Sequence, residues 1–144
     1  MMTDEQATQA VWDLMGHAIE GRGEQAARLL AEIGADSDGP RMYGICCAIA
    51  EIGKATLRQL YPHMTWGPSG YMWAMQQLGP GSPADVWAAR FLVAYADGDK
   101  ANANALWSAA TAASGDEHVD SICALVTTVA GLAITALRKK RGEA

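Results

Sequence analysis

Three cysteines are the most reactive side chains of this 144-residue chain: Cys46, Cys47 and Cys123. A cysteine does chemistry as a thiolate nucleophile or as a metal ligand. Cys46 and Cys47 are neighbours on a predicted helix, where adjacent side chains point in different directions, so they do not form a chelating pair. We expect all three to be small buried residues in a reducing cytoplasm. The polar helix that opens at Thr3, where a secretory signal would lie, also indicates a cytoplasmic protein.

The histidines do not form a predicted metal site. His17 and Glu20 lie three residues apart on one helix face, a spacing that could share a metal ion. Metal centres in helical bundles take a carboxylate-x-x-histidine pair from each of two helices, but here the order is reversed and no second copy occurs. His118 follows Asp116 and Glu117, and we interpret the three as first-turn residues of a helix. The sequence therefore predicts no metal and no cofactor.

Catalytic motifs give no indication of an enzyme. The chain contains no G-x-S-x-G nucleophile turn, no Walker phosphate loop and no H-E-x-x-H zinc motif. Its glycines separate helical segments and do not follow a strand, so they do not form a phosphate cradle. We predict a protein that is not an enzyme.

The aromatic segment 61–82, YPHMTWGPSGYMWAMQQLGPGS, is the best candidate for a partner-binding surface. Trp and Tyr are enriched at binding hot spots, and Met makes adaptable contacts. The alternative is that these side chains fold back as a plug over the junction between the two halves of the chain. The predicted partner-binding residues are Tyr61, Met64, Trp66, Tyr71, Met72, Trp73 and Met75.

The segment 121–137, SICALVTTVAGLAITAL, has no charged side chain and precedes four basic residues at 138–141. Alone it resembles a C-terminal membrane anchor with a positive flank, which stays an alternative. Its short length and its Ser, Thr and Gly residues favour a core helix of a protein that is not membrane-bound. Since it is apolar on more sides than one neighbour covers, we expect a homodimer interface on it. The predicted interface residues are Leu125, Thr128, Leu132 and Thr135.

These segments belong to a chain that repeats itself at a spacing of 77 residues without a gap. Matched pairs include Gly21 with Gly98, Ala26 with Ala103, Leu29 with Leu106, and Ile45-Cys46 with Ile122-Cys123. Repeats of this kind form similar helical units that pack together. We predict one domain over 1–144, with three-helix units at 4–60 and 83–140 joined by the linker 61–82.

Composition predicts an all-α fold. Half of the residues are hydrophobic and 19% are charged, as in a globular protein. Alanine, the strongest helix former, is abundant, and no alternating strand pattern occurs. The net charge of −5 is uneven: the last seven residues carry four basic groups and one acidic group, which leaves −8 on the rest. An acidic body argues against a nucleic-acid partner.

Capping patterns position the predicted helices. Thr3 with Gln6 forms a capping box, Ser82-Pro83 opens another helix, and Gly21 and Gly98 mark turns. The predicted helices are 4–20, 24–33, 40–60, 83–96, one from the 97–99 turn to about 113, and one from a cap at 114 to about 140.

The stretch FLVAYADGDKANANALWSAA resembles a tetratricopeptide-type helical hairpin. The resemblance is carried by Tyr95, Gly98, Asp99, Ala103 and Leu106, in the order aromatic, Gly-Asp turn, then Ala and Leu at helical spacing. It implies TPR-like helical hairpins and a surface for protein partners. The 34-residue period of that family does not occur in this chain.

The whole chain also resembles small, uncharacterised Ala- and Trp-rich helical proteins of high-G+C Gram-positive bacteria and of their phages. That resemblance implies a role in a mobile element, as a structural component or as a protein that binds a host factor. The function we expect first is a non-enzymatic protein–protein interaction module that self-associates. A binder of a small apolar ligand, held in a pocket between the two units, is the further alternative.

Overall fold

The described part of the chain folds into α-helices. The structure is a computed structural model that describes residues 2–62, 81–112 and 115–142, and those residues contain helices and no strand. The all-α prediction is therefore confirmed. The six helices within these ranges are α1 (Asp4–Ile19), α2 (Gly23–Ala35), α3 (Gly39–Leu60), α4 (Pro83–Ala96), α5 (Lys100–Ala112) and α6 (Gly115–Lys140).

Local side-chain caps determine where several helices begin, as the sequence predicts. The Thr3 hydroxyl accepts from the Gln6 backbone N–H, and the Gln6 side chain accepts from the Thr3 N–H in return. Ser82 and Asp85 make the same reciprocal pair at α4, where Pro83 takes the first position. Each pair satisfies two N–H groups that have no partner inside the helix.

Helices α3 and α6 form the centre of the fold. They share the most extensive interhelical contact, and α4 packs on α6 nearly as extensively. Helices α1 and α2 pair on one side, and α4 and α5 pair on the other. The largest fully buried side chains come from α1, α2, α3, α4 and α6, so one continuous core joins both halves of the chain. They include Phe91, Leu14, Met15, Ile33, Ile49, Leu57, Leu92 and Leu125.

The central helices run in the same direction. At their C-terminal ends the Lys139 ammonium group donates to the Leu60 carbonyl oxygen at 2.8 Å. This bond satisfies one of the last carbonyls of α3, and it places a positive charge where the helix dipole favours one. At the opposite end, Gly39 of α3 and His118 of α6 line one cavity. The first turns of both central helices therefore meet at that end of the molecule.

Gly53 allows the central helices to approach closely. A Cβ atom built on Gly53 would lie 2.9 Å from Leu92 Cδ1 and 3.0 Å from Val129 Cγ2. Both neighbours are fully buried, so a side chain at position 53 would displace the core of α4 and α6.

We predict that Gly53→Ala destabilises the fold, while Gly131→Ala does not. At Gly131, also inside a helix, an added Cβ atom meets nothing within 4 Å. Gly53→Ala should lower the free energy of unfolding by about 1–2 kcal/mol, after the gain in helix propensity is counted. Gly131→Ala should raise it by about 0.5–1 kcal/mol, because alanine is the better helix former. Urea unfolding followed by circular dichroism measures both, and equal effects of the same sign would contradict the close approach.

Candidate functional site

The main cavity is a half-open space of about 500 Å³ between α2, α5 and the first turns of α3 and α6. Most of its wall is apolar. Polar groups lie at the start of α3, with Ser37 and Asp38, and at the start of α6, with His118. The described residues that line it are Ala27, Leu30, Ala31, Gly34, Ser37, Asp38, Gly39, Met42, Trp107, Thr111, His118, Val119, Ile122 and Cys123. Small ligands bind in cavities of this size, with a largely apolar wall and a few polar groups.

A chain of ring contacts connects this cavity to the core. Trp87 stacks on Phe91 at 5.1 Å between ring centroids, and Phe91 meets Tyr43 edge-on at 6.2 Å. Tyr43 packs on Trp107 at 5.7 Å, and Trp107 meets the His118 ring at 5.6 Å. Aromatic pairs in these geometries contribute beyond their buried area. The contacts place the Trp107 and His118 rings beside each other in the cavity wall.

A hydrogen bond from the indole nitrogen holds Trp87 in this series of ring contacts. Its indole Nε1–H donates to the Leu106 carbonyl oxygen of α5 at 2.8 Å. A buried indole N–H ordinarily finds such a partner. The bond ties α4 to α5. Trp87 is one position before Ala88, which is fully buried, and Leu106 is one position before Trp107 in the cavity wall.

Two polar atoms in this region have no hydrogen-bond partner. Among the buried side-chain nitrogen and oxygen atoms of the described residues, Ser37 Oγ and His118 Nδ1 are the two that lack one. Both residues line the main cavity. A buried polar atom left unpaired costs about 1–3 kcal/mol, and native structures contain few of them. The cavity therefore contains hydrogen-bonding capacity that the described residues do not use.

The three cysteines are free thiols in three different environments. Cys46 is fully buried, and burial together with the neighbouring Cys47 raises the pKa of its thiol to about 12. Cys123 lines the main cavity and is half-buried; burial and the nearby Asp120 raise the pKa of its thiol as well. These environments favour the thiol over the thiolate, so they do not activate a nucleophile.

A second cavity of about 410 Å³ lies between α3 and the α4–α5 turn. Its polar side chains are Tyr43, Cys47, Lys54, Tyr95, Asp99, Lys100 and Asn104. The Tyr95 hydroxyl donates to a Glu51 carboxylate oxygen at 2.7 Å. Burial first, and then this bond to an acid, raise the pKa of the Tyr95 hydroxyl to about 12.

We predict a pH-dependent effect of Tyr95→Phe. Because the folded-state pKa is raised from 10.0 to about 12, the contribution of Tyr95 to stability is complete below about pH 10 and is lost between about pH 10 and 12. Near pH 8 the variant should be less stable than the parent by about 0.5–1.5 kcal/mol, since the bond to Glu51 is lost. That difference should shrink as the pH rises toward 12. Urea unfolding at several pH values measures it, and a constant difference would contradict the assignment.

Most of the predicted partner-binding residues lie outside the ranges that the structure describes. Tyr61 lies at the end of α3, is half-buried, and donates its backbone N–H to the Leu57 carbonyl at 3.0 Å. The other predicted residues lie outside the described ranges: Met64, Trp66, Tyr71, Met72, Trp73 and Met75. The partner-binding role of this segment stays a prediction.

The four predicted dimer residues lie on different sides of α6. Leu125 is 0% exposed and Leu132 is 2% exposed, so both belong to the core of a single chain and not to its surface. Thr128 is half-buried and Thr135 is exposed. The sequence indicated that segment 121–137 is apolar on more sides than one neighbour covers, but not which side the other helices would cover.

Helix α6 is long and apolar enough to cross a membrane by length and composition, and 44% of its apolar window is buried inside the chain. A core helix passes the same test, so the test does not decide between the two alternatives. Within the described ranges, no group of three His, Cys, Asp or Glu side chains is placed to hold a metal ion.

Comparisons of the chain with protein-family models, with curated proteins and with solved structures give no match. The functional inference for this protein therefore rests on the residues that line the main cavity. The sequence predicted a ligand pocket between the two units as an alternative, but it did not identify this wall, because the wall comes from three separate regions, 27–42, 107–111 and 118–123.

Proposed function

We propose that this protein binds a small, mostly apolar ligand in the main cavity. The observation that carries the proposal is a cavity of about 500 Å³ whose wall combines apolar side chains with the unpaired atoms Ser37 Oγ and His118 Nδ1. Pockets of about 300–1,000 Å³ with a few polar groups are typical of small-molecule sites. This is a binding function, and it requires no reaction.

We also propose that the cavity lies between two related three-helix units, 4–60 and 83–140. Adding 77 to the bounds of α2 gives 100–112, which are the bounds of α5. Gly21 and Gly98, also 77 apart, have positive φ values of 79° and 75° in equivalent turns. These coincidences support the repeat.

The helix contacts support an arrangement in which the two units face each other. Helix α1 packs on α6, and α4 packs on α3, so each unit contacts the last helix of the other with its first. Such reciprocal contacts are typical of a two-fold relation. Repeats stacked in series, as in tetratricopeptide arrays, contact each other at one end only.

The wall of the main cavity follows the same relation. Three pairs of lining residues are 77 positions apart: Leu30 with Trp107, Gly34 with Thr111, and Met42 with Val119. A cavity at the junction of two units receives a wall from each. The pairs differ in chemistry, so the cavity has an aliphatic side at Leu30 and an aromatic side at Trp107.

Binding of the neutral fluorophore N-phenyl-1-naphthylamine tests the ligand function. We expect saturable binding at one site per chain, and loss of binding in Ala31→Phe, whose added ring occupies part of the cavity. Ala35→Phe is the matched control, because Ala31 and Ala35 are both exposed alanines of α2 and Ala31 is the one that lines the cavity. The fluorophore should also slow alkylation of Cys123 without slowing that of Cys47, which lines the second cavity.

Three results would count against this function. They are no saturable binding, equal binding by both phenylalanine variants, or equal protection of both thiols. Circular dichroism of each variant separates loss of the site from loss of the fold.

A second candidate is self-association through the outer face of α6, with a second copy of the chain as the partner. The specific observation is that Thr127, Gly131 and Thr135 are exposed at consecutive turns in a stretch without a charged side chain. Helices pack closely where such small residues lie, and a second copy would cover the face that α1, α3 and α4 leave open.

Light scattering after size exclusion tests the second candidate. We expect a dimer that Thr135→Glu dissociates, because a carboxylate buried in an interface is unfavourable. Thr8→Glu is the control, since both threonines are exposed and donate to the carbonyl four residues before, at 2.9 Å for Thr135 and 3.0 Å for Thr8. A monomer at concentrations of tens of micromolar would exclude this candidate and leave the ligand function untouched.

A further inference from the structure

We infer that the ligand of the main cavity carries a neutral hydroxyl group, which pairs with Ser37 and His118. The inference rests on the proposed ligand-binding function and names the chemical class that the cavity selects. It follows from where the unpaired polar atoms lie and from which charges the wall contains.

The unpaired atoms coincide with the cavity. Ser37 Oγ and His118 Nδ1 come from different helix ends, more than 80 positions apart in the chain, and both belong to the wall of this one space. Buried polar atoms ordinarily have partners. Two buried polar atoms without a partner at the same cavity indicate that a molecule entering the cavity supplies the hydrogen-bond partner.

A single side-chain rotation would change the direction of each atom. Protein atoms cover both in the present conformation. Rotation about χ1 carries the Ser37 hydroxyl to a new direction, and a half-turn of the imidazole about χ2 exchanges Nδ1 with a ring carbon. Neither rotation moves the backbone. The edge-on contact of His118 with Trp107, at 5.6 Å between centroids, restricts the imidazole to positions beside the indole.

A hydroxyl matches these two groups. The serine hydroxyl donates and accepts, and a neutral imidazole has one donor and one acceptor nitrogen. A ligand hydroxyl, which also donates once and accepts, can pair with both at the same time. A methyl group in that place would leave both protein atoms unpaired.

Charged ligands fit less well. The described residues of the wall include no lysine or arginine to pair with a carboxylate, and the exposed Asp38 carboxylate would repel one. That carboxylate already accepts the Arg41 backbone N–H at 2.8 Å, as the cap of α3. An ammonium group would also lose its hydration in a mostly apolar space.

Four naphthalene compounds test the inference on the full-length chain by calorimetric titration near pH 7.5. They are naphthalene, 2-naphthol, 2-naphthoate and 2-(aminomethyl)naphthalene, which share one ring system and differ in the polar group. We expect 2-naphthol to bind about tenfold more tightly than naphthalene, and more tightly than either ion. Water competes for the hydroxyl, so a preference for 2-naphthol requires partners inside the cavity.

Two variants identify the partners. Ser37→Ala and His118→Phe should each reduce the ratio of the two dissociation constants, naphthalene over 2-naphthol, toward one. Ser108→Ala is the control, an exposed serine of α5 that does not line the cavity. It should keep the full ratio.

The outcomes separate the inference from the function beneath it. If naphthalene and 2-naphthol bind equally, as they would if ordered water satisfied both atoms, the hydroxyl inference is wrong and the ligand function stands. The inference is also wrong if an ion binds most tightly, or if the preference survives both substitutions. If none of the four compounds binds, the proposed function fails as well.

Discussion

The fold depends on the absence of a side chain at residue 53. Helix α3 lies against α4 and α6 at a distance that leaves 2.9 Å between a Cβ position at Gly53 and the Leu92 methyl group. This approach brings the central helices together along their length. A bulkier residue at this position would disturb the packing of the whole core.

The aromatic side chains join that core to the cavity. Phe91 is fully buried beside Tyr43, and Trp107 continues the contact to the cavity wall. Rings have few rotatable bonds, so a chain of ring contacts orients its last members at a small cost in conformational entropy. The cavity wall is thus supported by the same packing that stabilises α3, α4 and α5.

The sequence predicted the elements of this fold better than the site. Caps such as Thr3 and Ser82 act within one turn of helix, so their effect is visible in four consecutive residues. His118 could be interpreted only as a first-turn residue, because its neighbour Trp107 and its position in the cavity depend on how α5 meets α6. Leu125 shows the same limit, since its segment is apolar on more sides than one neighbour covers, and its burial depends on how α6 packs against the other helices.

The proposed ligand of the main cavity would also link occupancy to folding. Its wall exists only when three distant regions of the chain are assembled, so the unfolded chain offers no such site. By mass action, a ligand present at about 100 times its dissociation constant would add about 2.7 kcal/mol to the free energy of unfolding. The melting temperature of this protein would then rise with ligand concentration. In a cell, its resistance to proteolysis would follow the supply of that ligand.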